Sequence, residues 1–183
     1  MRPVKLIVGG KAIGEARTWA YPAGYALGDF LISTYQLAVA GQNADGRPAR
    51  ENFSVFRFGV QSKDGREAKV VGLAEQQTHV ITAWLPDYRV HSFNTTENGA
   101  WRVYASFLIH DGPDNDTELF ASIGCVEIMG PQGFTRFNDL LISLMGPSGV
   151  DRNSKLDAIG KSKKLTITYE KADRPSLKAA VIR

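Results

Sequence analysis

The chain has 183 residues, a length typical of one domain that buries its own hydrophobic core. It contains a single cysteine, so an internal disulfide is impossible and a disulfide-stabilised scaffold is excluded. A zinc site of the usual kind is also excluded, because that cysteine has only three histidines as further soft ligands. The net charge of +3 is small, and the basic residues are not interleaved with aromatic ones, which disfavours nucleic-acid recognition.

Most of the predicted elements are strands. Apolar or alternating runs separated by Gly, Asn, Asp and Pro predict strands over residues 4–8, 31–39, 53–60, 69–73, 79–85, 88–93, 101–109, 119–129 and 165–169. One helix is predicted over residues 134–144, where apolar residues recur every three or four positions before Gly146 and Pro147. Segments 41–51 and 146–155 are rich in turn-forming residues and are expected to be mobile loops. The sequence predicts one mainly β domain, a sandwich with one helix, over residues 1–183.

The two ends of the chain carry little functional signal. Residues 1–11 contain too short an apolar stretch for a signal peptide, and no segment reaches the length of a transmembrane helix. We therefore expect a protein that is made in the cytoplasm without a signal peptide and is not inserted in a membrane. Residues 161–183 are mildly basic, which indicates a solvated edge or, alternatively, attraction to an anionic glycan.

The only cysteine lies fifteen residues after a histidine at the end of a predicted strand. His110 follows the apolar run 103–109, and Gly124 interrupts the run 119–129 directly before Cys125. A cysteine nucleophile reacts as the thiolate, and a nearby imidazole can take its proton. A lone cysteine in an apolar run is more often a small buried hydrophobic residue. Here the preceding glycine and the nearby histidine favour a catalytic cysteine.

His110, followed by Ser122-Ile123-Gly124-Cys125-Val126, resembles the active-site signature of the L,D-transpeptidase catalytic domain. The cysteine enzymes of that family crosslink or trim peptidoglycan stem peptides. Residues 96–103, Thr-Glu-Asn-Gly-Ala-Trp-Arg-Val, are similar to the family's upstream Thr-Pro-x-Gly segment. The resemblance covers residues 88–170 and implies an L,D-transpeptidase-like β-sandwich with a helix after the cysteine loop, to which residues 1–87 add strands.

The resemblance implies covalent catalysis without a cofactor or a metal. Cys125 attacks the carbonyl of an amide between an L and a D centre, and His110 carries the proton. Amides at Gly124 and Cys125 bind the oxyanion, and a thioester forms. The backbone carbonyl of Asp111 is the expected partner of the imidazole, and the Asp111 carboxylate is the alternative. Ser122 either hydrogen-bonds within the site or caps the loop.

Four residues are expected to line the substrate-binding region, namely His91, Trp101, Ile123 and Glu127. For Trp101 the alternative is a position in the core or in the wall of the site, as for Tyr88. Ile123 replaces a histidine of the family's signature, and Glu127 replaces an arginine that suits a substrate carboxylate. Glu127 is therefore either an exposed strand residue or a selector for a different substrate group.

The predicted function is that of an L,D-transpeptidase-like cysteine transferase or peptidase acting on peptidoglycan stem peptides. Crosslinking, carboxypeptidase action and exchange of D-amino acids all fit this chemistry. Because peptidoglycan lies outside the cytoplasmic membrane, we expect non-classical delivery to the periplasm or cell wall, as an antibacterial effector or a phage lytic component. An immunity protein or a secretion-apparatus protein would then be a partner. Two alternatives stay open: a non-catalytic β-sandwich binding or assembly module, and a cysteine hydrolase of another amide.

Overall fold

The computed structural model describes residues 1–90, 97–116 and 120–180, except for the side chains of residues 24–26, 120 and 121. The described residues are mainly β, as predicted, with fourteen strands and two helices. The strands of the first half are β1 Val4–Val8, β2 Gly14–Ala20, β3 Gly24–Gln42, β4 Pro48–Phe56, β5 Phe58–Lys63, β6 Glu67–Gly72, β7 Gln77–Val80 and β8 Ala83–Leu85. Those of the second half are β9 Ala100–Tyr104, β10 Phe107–Asp111, β11 Phe120–Ala121, β12 Val126–Ile128, β13 Leu165–Tyr169 and β14 Lys178–Ala179. The helices are α1 Gly133–Met145 and α2 Arg152–Ser162.

A curled sheet organises the fold, with its main strands in the order β7-β13-β1-β3-β4-β12-β10-β9-β8. His79 of β7 stacks on Tyr104 of β9 with ring centroids 4.6 Å apart. The two ends of this path therefore lie close to each other. The long strand β3 pairs first with β2 and β14 and then with β1 and β4. Strand β11 adds to β2, and β5 and β6 form a separate hairpin.

Strands from residues 1–87 and from residues 88–170 alternate in this sheet. Strand β12 lies between β4 and β10, and β13 lies between β7 and β1. Any cut between the two segments would separate hydrogen-bonded neighbours. Residues 88–170 therefore do not form a separate sheet, because their strands are hydrogen-bonded to strands of residues 1–87.

The core lies between the sheet and helix α1. Alternate residues of the strands point to one face of a sheet, and the buried side chains of β1 follow this period. Helix α1 buries Phe134, Phe137 and Leu141 at three- and four-residue spacing and packs against β1, β3, β10 and β12. It ends at Gly146, whose φ of 63° suits a glycine after the last helical turn. The helix predicted from the apolar period is thus confirmed.

The prediction of a single helix is wrong, because residues 152–162 form helix α2 where part of a loop was expected. Asp151 accepts a hydrogen bond from the Ser154 amide, and the Ser154 hydroxyl accepts one from the Asp151 amide, which is a capping box. Only Leu156, Ile159 and Gly160 of this helix are buried, so it lacks a strong apolar period. Neither helix in the described ranges has the length and hydropathy needed to cross a membrane.

Several predicted strands are shorter than expected because turns interrupt them. The run 101–109 is a hairpin, in which β9 and β10 are separated at Ala105 with φ 49°. The run 119–129 contains β11 and β12 on either side of the cysteine loop. The run 53–60 is divided at Arg57, and the run 79–85 contains β7 and β8.

Two further predictions of secondary structure also need correction. The expected loop 41–51 is mostly the ends of β3 and β4, joined by a tight turn that the Asn43 amide closes on the Arg47 carbonyl at 2.9 Å. Residues 88–90 are not in a strand, and the rest of the predicted strand 88–93 lies outside the described residues. Local composition identified a turn at residues 43–47 but overestimated its length.

Arg57 is a buried cation between β4 and β5. Its guanidinium donates hydrogen bonds to the backbone carbonyls of Gly9, Leu73 and Glu170. Three aromatic rings surround it, those of Tyr35, Phe58 and Tyr169, with centroids 5.4–5.8 Å from Cζ. Burial lowers the pKa of Arg57 from its ordinary value. Within the described ranges no carboxylate forms a salt bridge with this guanidinium, so the carbonyl oxygens satisfy its donors.

We expect Arg57→Met to lower the free energy of unfolding by about 3 kcal/mol or more, because several buried carbonyls lose their donor. Arg50 is an exposed residue of β4 and provides the matched control Arg50→Met, with an expected effect within about 0.5 kcal/mol. Urea denaturation of both variants measures the difference. Equal stability of the two variants would show that the carbonyl contacts of Arg57 are dispensable.

Candidate functional site

The cysteine and the histidine lie on one face of the sheet. Strands β10 and β12 are parallel, and His110 of β10 is paired with Glu127 of β12. Cys125 directly precedes β12. It packs against Leu108, which lies two residues before His110 in β10 and therefore shares its face. The sheet therefore brings together residues that are fifteen positions apart in the chain.

The imidazole of His110 is held by a backbone carbonyl. Nδ1 lies 2.7 Å from the carbonyl oxygen of Asp111, which was the partner expected from the sequence. A carbonyl oxygen only accepts hydrogen bonds, so Nδ1 carries the hydrogen and Nε2 is the ring nitrogen whose protonation varies. Nε2 lies 3.8 Å from Oε1 of Glu127. The Asp111 carboxylate is buried nearby and raises the pKa of Glu127.

Tyr88 forms a wall of this site. Its ring centroid is 5.6 Å from that of His110, and the ring packs against the cluster that contains Cys125. Burial raises the pKa of Tyr88 to about 12, with further contributions from Cys125 and Glu127. Tyr88 lies in the segment between β8 and β9, outside both strands. The spacing of residues in the sequence therefore did not distinguish it from an ordinary core residue.

The cysteine loop is pressed against the β5–β6 hairpin. Gly124 has φ 97°, and a Cβ there would lie 2.8 Å from Cα of Gly72. A Cβ on Gly59 would lie 2.1 Å from the carbonyl oxygen of Ser122, to which the Val60 amide donates at 2.8 Å. The backbone of the cysteine loop therefore lies in close contact with strand β6 at Gly124. Glycines on both sides of the contact thus fix the position of the loop.

Ser122 takes part both in the loop and in the site. Its side chain is fully buried, and Oγ donates to the carbonyl of Phe58 at 3.4 Å. The same hydroxyl interacts with Glu127 and lowers the pKa of that carboxyl. The Ser122 hydroxyl has two acceptors within reach, the Phe58 carbonyl and the Glu127 carboxyl, and its single hydrogen is donated to one of them at a time.

Glu127 is a buried acid, so the interpretation as an exposed strand residue is wrong. Its side chain is 1% exposed, because β12 lies between β4 and β10. Burial raises the pKa of Glu127 well above its ordinary value, Asp111 raises it further, and the Ser122 hydroxyl opposes the change. Within the described part of the chain, Oε2 has no hydrogen-bond partner.

The thiol of Cys125 is closed off in this conformation. Cys125 is 4% exposed, and burial raises its pKa to about 12, with a second contribution from Glu127. The backbone of Leu108 lowers the pKa of the thiol and so opposes these two effects. A thiol with this pKa is protonated at neutral pH, so the nucleophilic thiolate needs a partner that takes its proton.

The other predicted substrate-binding residues differ in their exposure and in the face of the sheet on which they lie. Ile123 is 38% exposed beside the cysteine, which leaves an apolar surface at the entrance of the loop. Trp101 points to the opposite face of the sheet, where its indole donates to Oδ1 of Asn138 in α1 at 2.8 Å. The structure therefore places Trp101 in the core and does not bring it to Cys125. His91 lies outside the described residues.

The residues around Cys125 suit proton transfer more than metal binding. In the described ranges, no group of three or more His, Cys, Asp and Glu side chains is placed so that it could hold a metal ion.

Comparisons with protein-family models, with curated proteins and with solved structures give no match for this chain. The functional assignment rests on the geometry and chemistry of its own residues.

The pH dependence of stability tests the environment of Glu127. A carboxyl whose pKa is raised on folding stabilises the fold below its unfolded pKa, and this stability is lost as the pH rises through the folded pKa. We expect Glu127→Gln to match the wild type at about pH 5 and to be more stable at about pH 8, because glutamine never ionises. One pKa unit corresponds to about 1.4 kcal/mol, which urea denaturation resolves.

The exposed Glu67 provides the control for this experiment. Glu67→Gln is expected to keep the pH profile of the wild type. A Glu127→Gln profile parallel to that of the wild type at both pH values would contradict the raised pKa of Glu127.

Proposed function

We propose that this chain is a cysteine acyl-transfer enzyme of the L,D-transpeptidase type, which acts on peptidoglycan stem peptides. The observation that supports this most is the setting of His110, with Nδ1 on the Asp111 carbonyl and Nε2 on the face of the sheet that carries Cys125. A base held in one tautomer on the same face of the sheet as a thiol is the kind of arrangement that thiol activation uses. The family's sandwich type is part of the same proposal.

In this mechanism Cys125 passes its proton to Nε2 of His110 and attacks the amide carbonyl. Two electrons of the carbonyl bond move to oxygen, and backbone amides of the Gly124 and Cys125 loop hold that oxyanion. Collapse of the intermediate breaks the carbon–nitrogen bond, and the imidazolium gives its proton to the leaving amine. The thioester is then resolved by water, which gives hydrolysis, or by a second amine, which gives crosslinking or exchange.

Two residues of the site distinguish its expected substrate. Glu127 is a buried carboxyl where the family has an arginine, so a cationic clamp for a substrate carboxylate is missing at this position. Ile123 offers exposed apolar surface beside the cysteine. Together they favour an internal or amine-bearing part of a stem peptide over a terminal carboxylate. The same chemistry on another amide is the neighbouring possibility within this proposal.

A substrate of this kind places the action of the protein in the periplasm or cell wall. We include delivery to that compartment in the proposal, as an antibacterial effector or a lytic component. An immunity protein that blocks the cysteine loop would be its expected partner. Production of the wild type in the periplasm, but not in the cytoplasm, should then alter the muropeptides of the producing cell.

A second candidate function is a non-catalytic binding module. The observation that favours it is the closed thiol, with Cys125 only 4% exposed and its pKa at about 12. Under this alternative a thiol probe reacts with folded Cys125 much more slowly than with the unfolded chain, and substrate does not change that rate. Under the enzyme proposal, muropeptides protect or acylate the same thiol.

Mass spectrometry of purified muropeptides after incubation with the protein tests the enzyme proposal. The wild type should open crosslinks in preference to removing or exchanging terminal D-amino acids, because a cationic clamp for a terminal carboxylate is missing at position 127. Cys125→Ala and His110→Gln should lower that rate by about a hundredfold or more, since nucleophile and base are lost. His79→Gln changes a histidine that stacks on Tyr104 at the strand edge and should keep the activity. Unchanged muropeptides with the wild type would reject the assignment.

A further inference from the structure

The buried imidazole of His110 and the buried carboxyl of Glu127 face each other, and Nδ1 of the imidazole is already hydrogen-bonded. His110 is 3% exposed and Glu127 is 1% exposed. Because Nδ1 donates to the Asp111 carbonyl, only Nε2 can gain or lose a proton without breaking that contact. The atom that Nε2 faces across 3.8 Å is Oε1 of Glu127.

Without a proton between them, these two atoms would both be acceptors. A neutral Nε2 presents a lone pair, and a carboxylate oxygen presents lone pairs as well. Burying two facing acceptors away from water is costly, whereas one proton turns the same contact into an attractive one. The proton is held either by Glu127, as a neutral acid beside a neutral imidazole, or by His110, as an imidazolium beside a carboxylate.

We propose that Glu127 is a positioning residue that shares one proton with His110 and thereby regulates Cys125. The proton decides whether Nε2 has a lone pair available for the thiol. The sharing is inferred from the burial of the two side chains and from their 3.8 Å approach, which is an ion-pair distance longer than a hydrogen bond. Its effect on catalysis rests on the proposed function. Glu127 thus competes with Cys125 for the same ring nitrogen.

The groups around this pair are acids or neutral side chains. Asp111 of β10 and Ser122 of the cysteine loop affect the pKa of Glu127, which in turn affects those of Cys125 and Tyr88. Tyr21 contributes to the raised pKa of Tyr88, and Cys125 contributes to that of Tyr169 in β13. In the described ranges no lysine or arginine contributes to the pKa of Glu127 or Cys125.

These surroundings favour the neutral form of Glu127. Burial and Asp111 both raise the pKa of its carboxyl, so the shared proton rests on Glu127. Nε2 then carries no proton of its own, and it accepts the proton of the Cys125 thiol when the Glu127 O–H turns away from it. A thiolate and an imidazolium result, while Glu127 stays neutral and does not repel the thiolate. If the shared proton rests on Nε2 instead, that nitrogen cannot accept and the carboxylate opposes ionisation of the thiol.

Nuclear magnetic resonance of the full chain with ¹⁵N-labelled histidine and ¹³C-labelled glutamate carboxyls tests the sharing directly. At neutral pH we expect a protonated carboxyl for Glu127, a donor Nδ1 and an acceptor Nε2 for His110. Glu127→Gln should remove the protonated carboxyl signal, whereas the exposed control Glu67→Gln should remove only an ordinary carboxylate signal. A carboxylate with both ring nitrogens protonated would also support the shared proton and place it on His110. A carboxylate together with an unprotonated Nε2 would overturn the proposal.

The regulatory part is measured by the rate at which iodoacetamide alkylates Cys125 at alkaline pH. Glu127 loses its proton as the pH rises, and Glu127→Gln removes the resulting carboxylate, which opposes thiol ionisation. We therefore expect an increase of about tenfold, equal to one pKa unit. An unchanged rate would reject regulation by Glu127. If Glu127→Gln does not fold, His110→Gln provides the second variant, in which the Glu127 carboxyl signal should move because its partner is lost. These readouts need no substrate, so their failure is distinguishable from a negative muropeptide experiment.

Discussion

The guanidinium of Arg57 holds together parts of the chain that are far apart in sequence. It donates to the carbonyls of Gly9 after β1, of Leu73 after β6 and of Glu170 after β13. A buried cation without a carboxylate partner must be satisfied by oriented dipoles, and each carbonyl that it binds is fixed in return. The contact to Leu73 fixes the end of the β5–β6 hairpin. Because Gly72 of that hairpin lies against Gly124, the position of the cysteine loop depends on the same interaction.

In the candidate site, this fixed position of the loop is combined with several ionisable side chains that are buried close together. Parallel pairing of β10 and β12 puts His110 beside Glu127, and the preceding loop puts Cys125 on the same face. Burial disfavours every charged form in the group, and in the described part of the chain no lysine or arginine offsets this. Burial therefore favours the protonated thiol of Cys125 and the protonated carboxyl of Glu127. Chemistry at this thiol requires protons to be redistributed among three side chains rather than a cation that stabilises the thiolate.

The sequence was informative where local periodicity coincides with burial. The apolar spacing of residues 134–144 identified α1, and alternating runs identified β1, β13 and the mainly β class. Helix α2 was missed because only a few of its residues face the core, although Asp151 and Ser154 form a capping box. The hairpin of β9 and β10 was taken for one strand, since Ala105 adopts a positive φ in a position that composition does not mark. Turns made by ordinary residues leave little trace in a single sequence.

The sequence by itself determined which chemical groups exist and which are close along the chain: one thiol, a histidine fifteen residues before it, and a glycine that permits the loop. The family resemblance implied the Asp111 carbonyl as the partner of the imidazole, with the Asp111 carboxylate as the alternative, and the structure has Nδ1 on the carbonyl. Tertiary structure alone decided that Trp101 points away from the site, that Tyr88 forms its wall and that Glu127 is buried beside the imidazole. The reason is physical: burial and pKa depend on strands that pair across long separations, and their order in the sheet is not a local property of the chain.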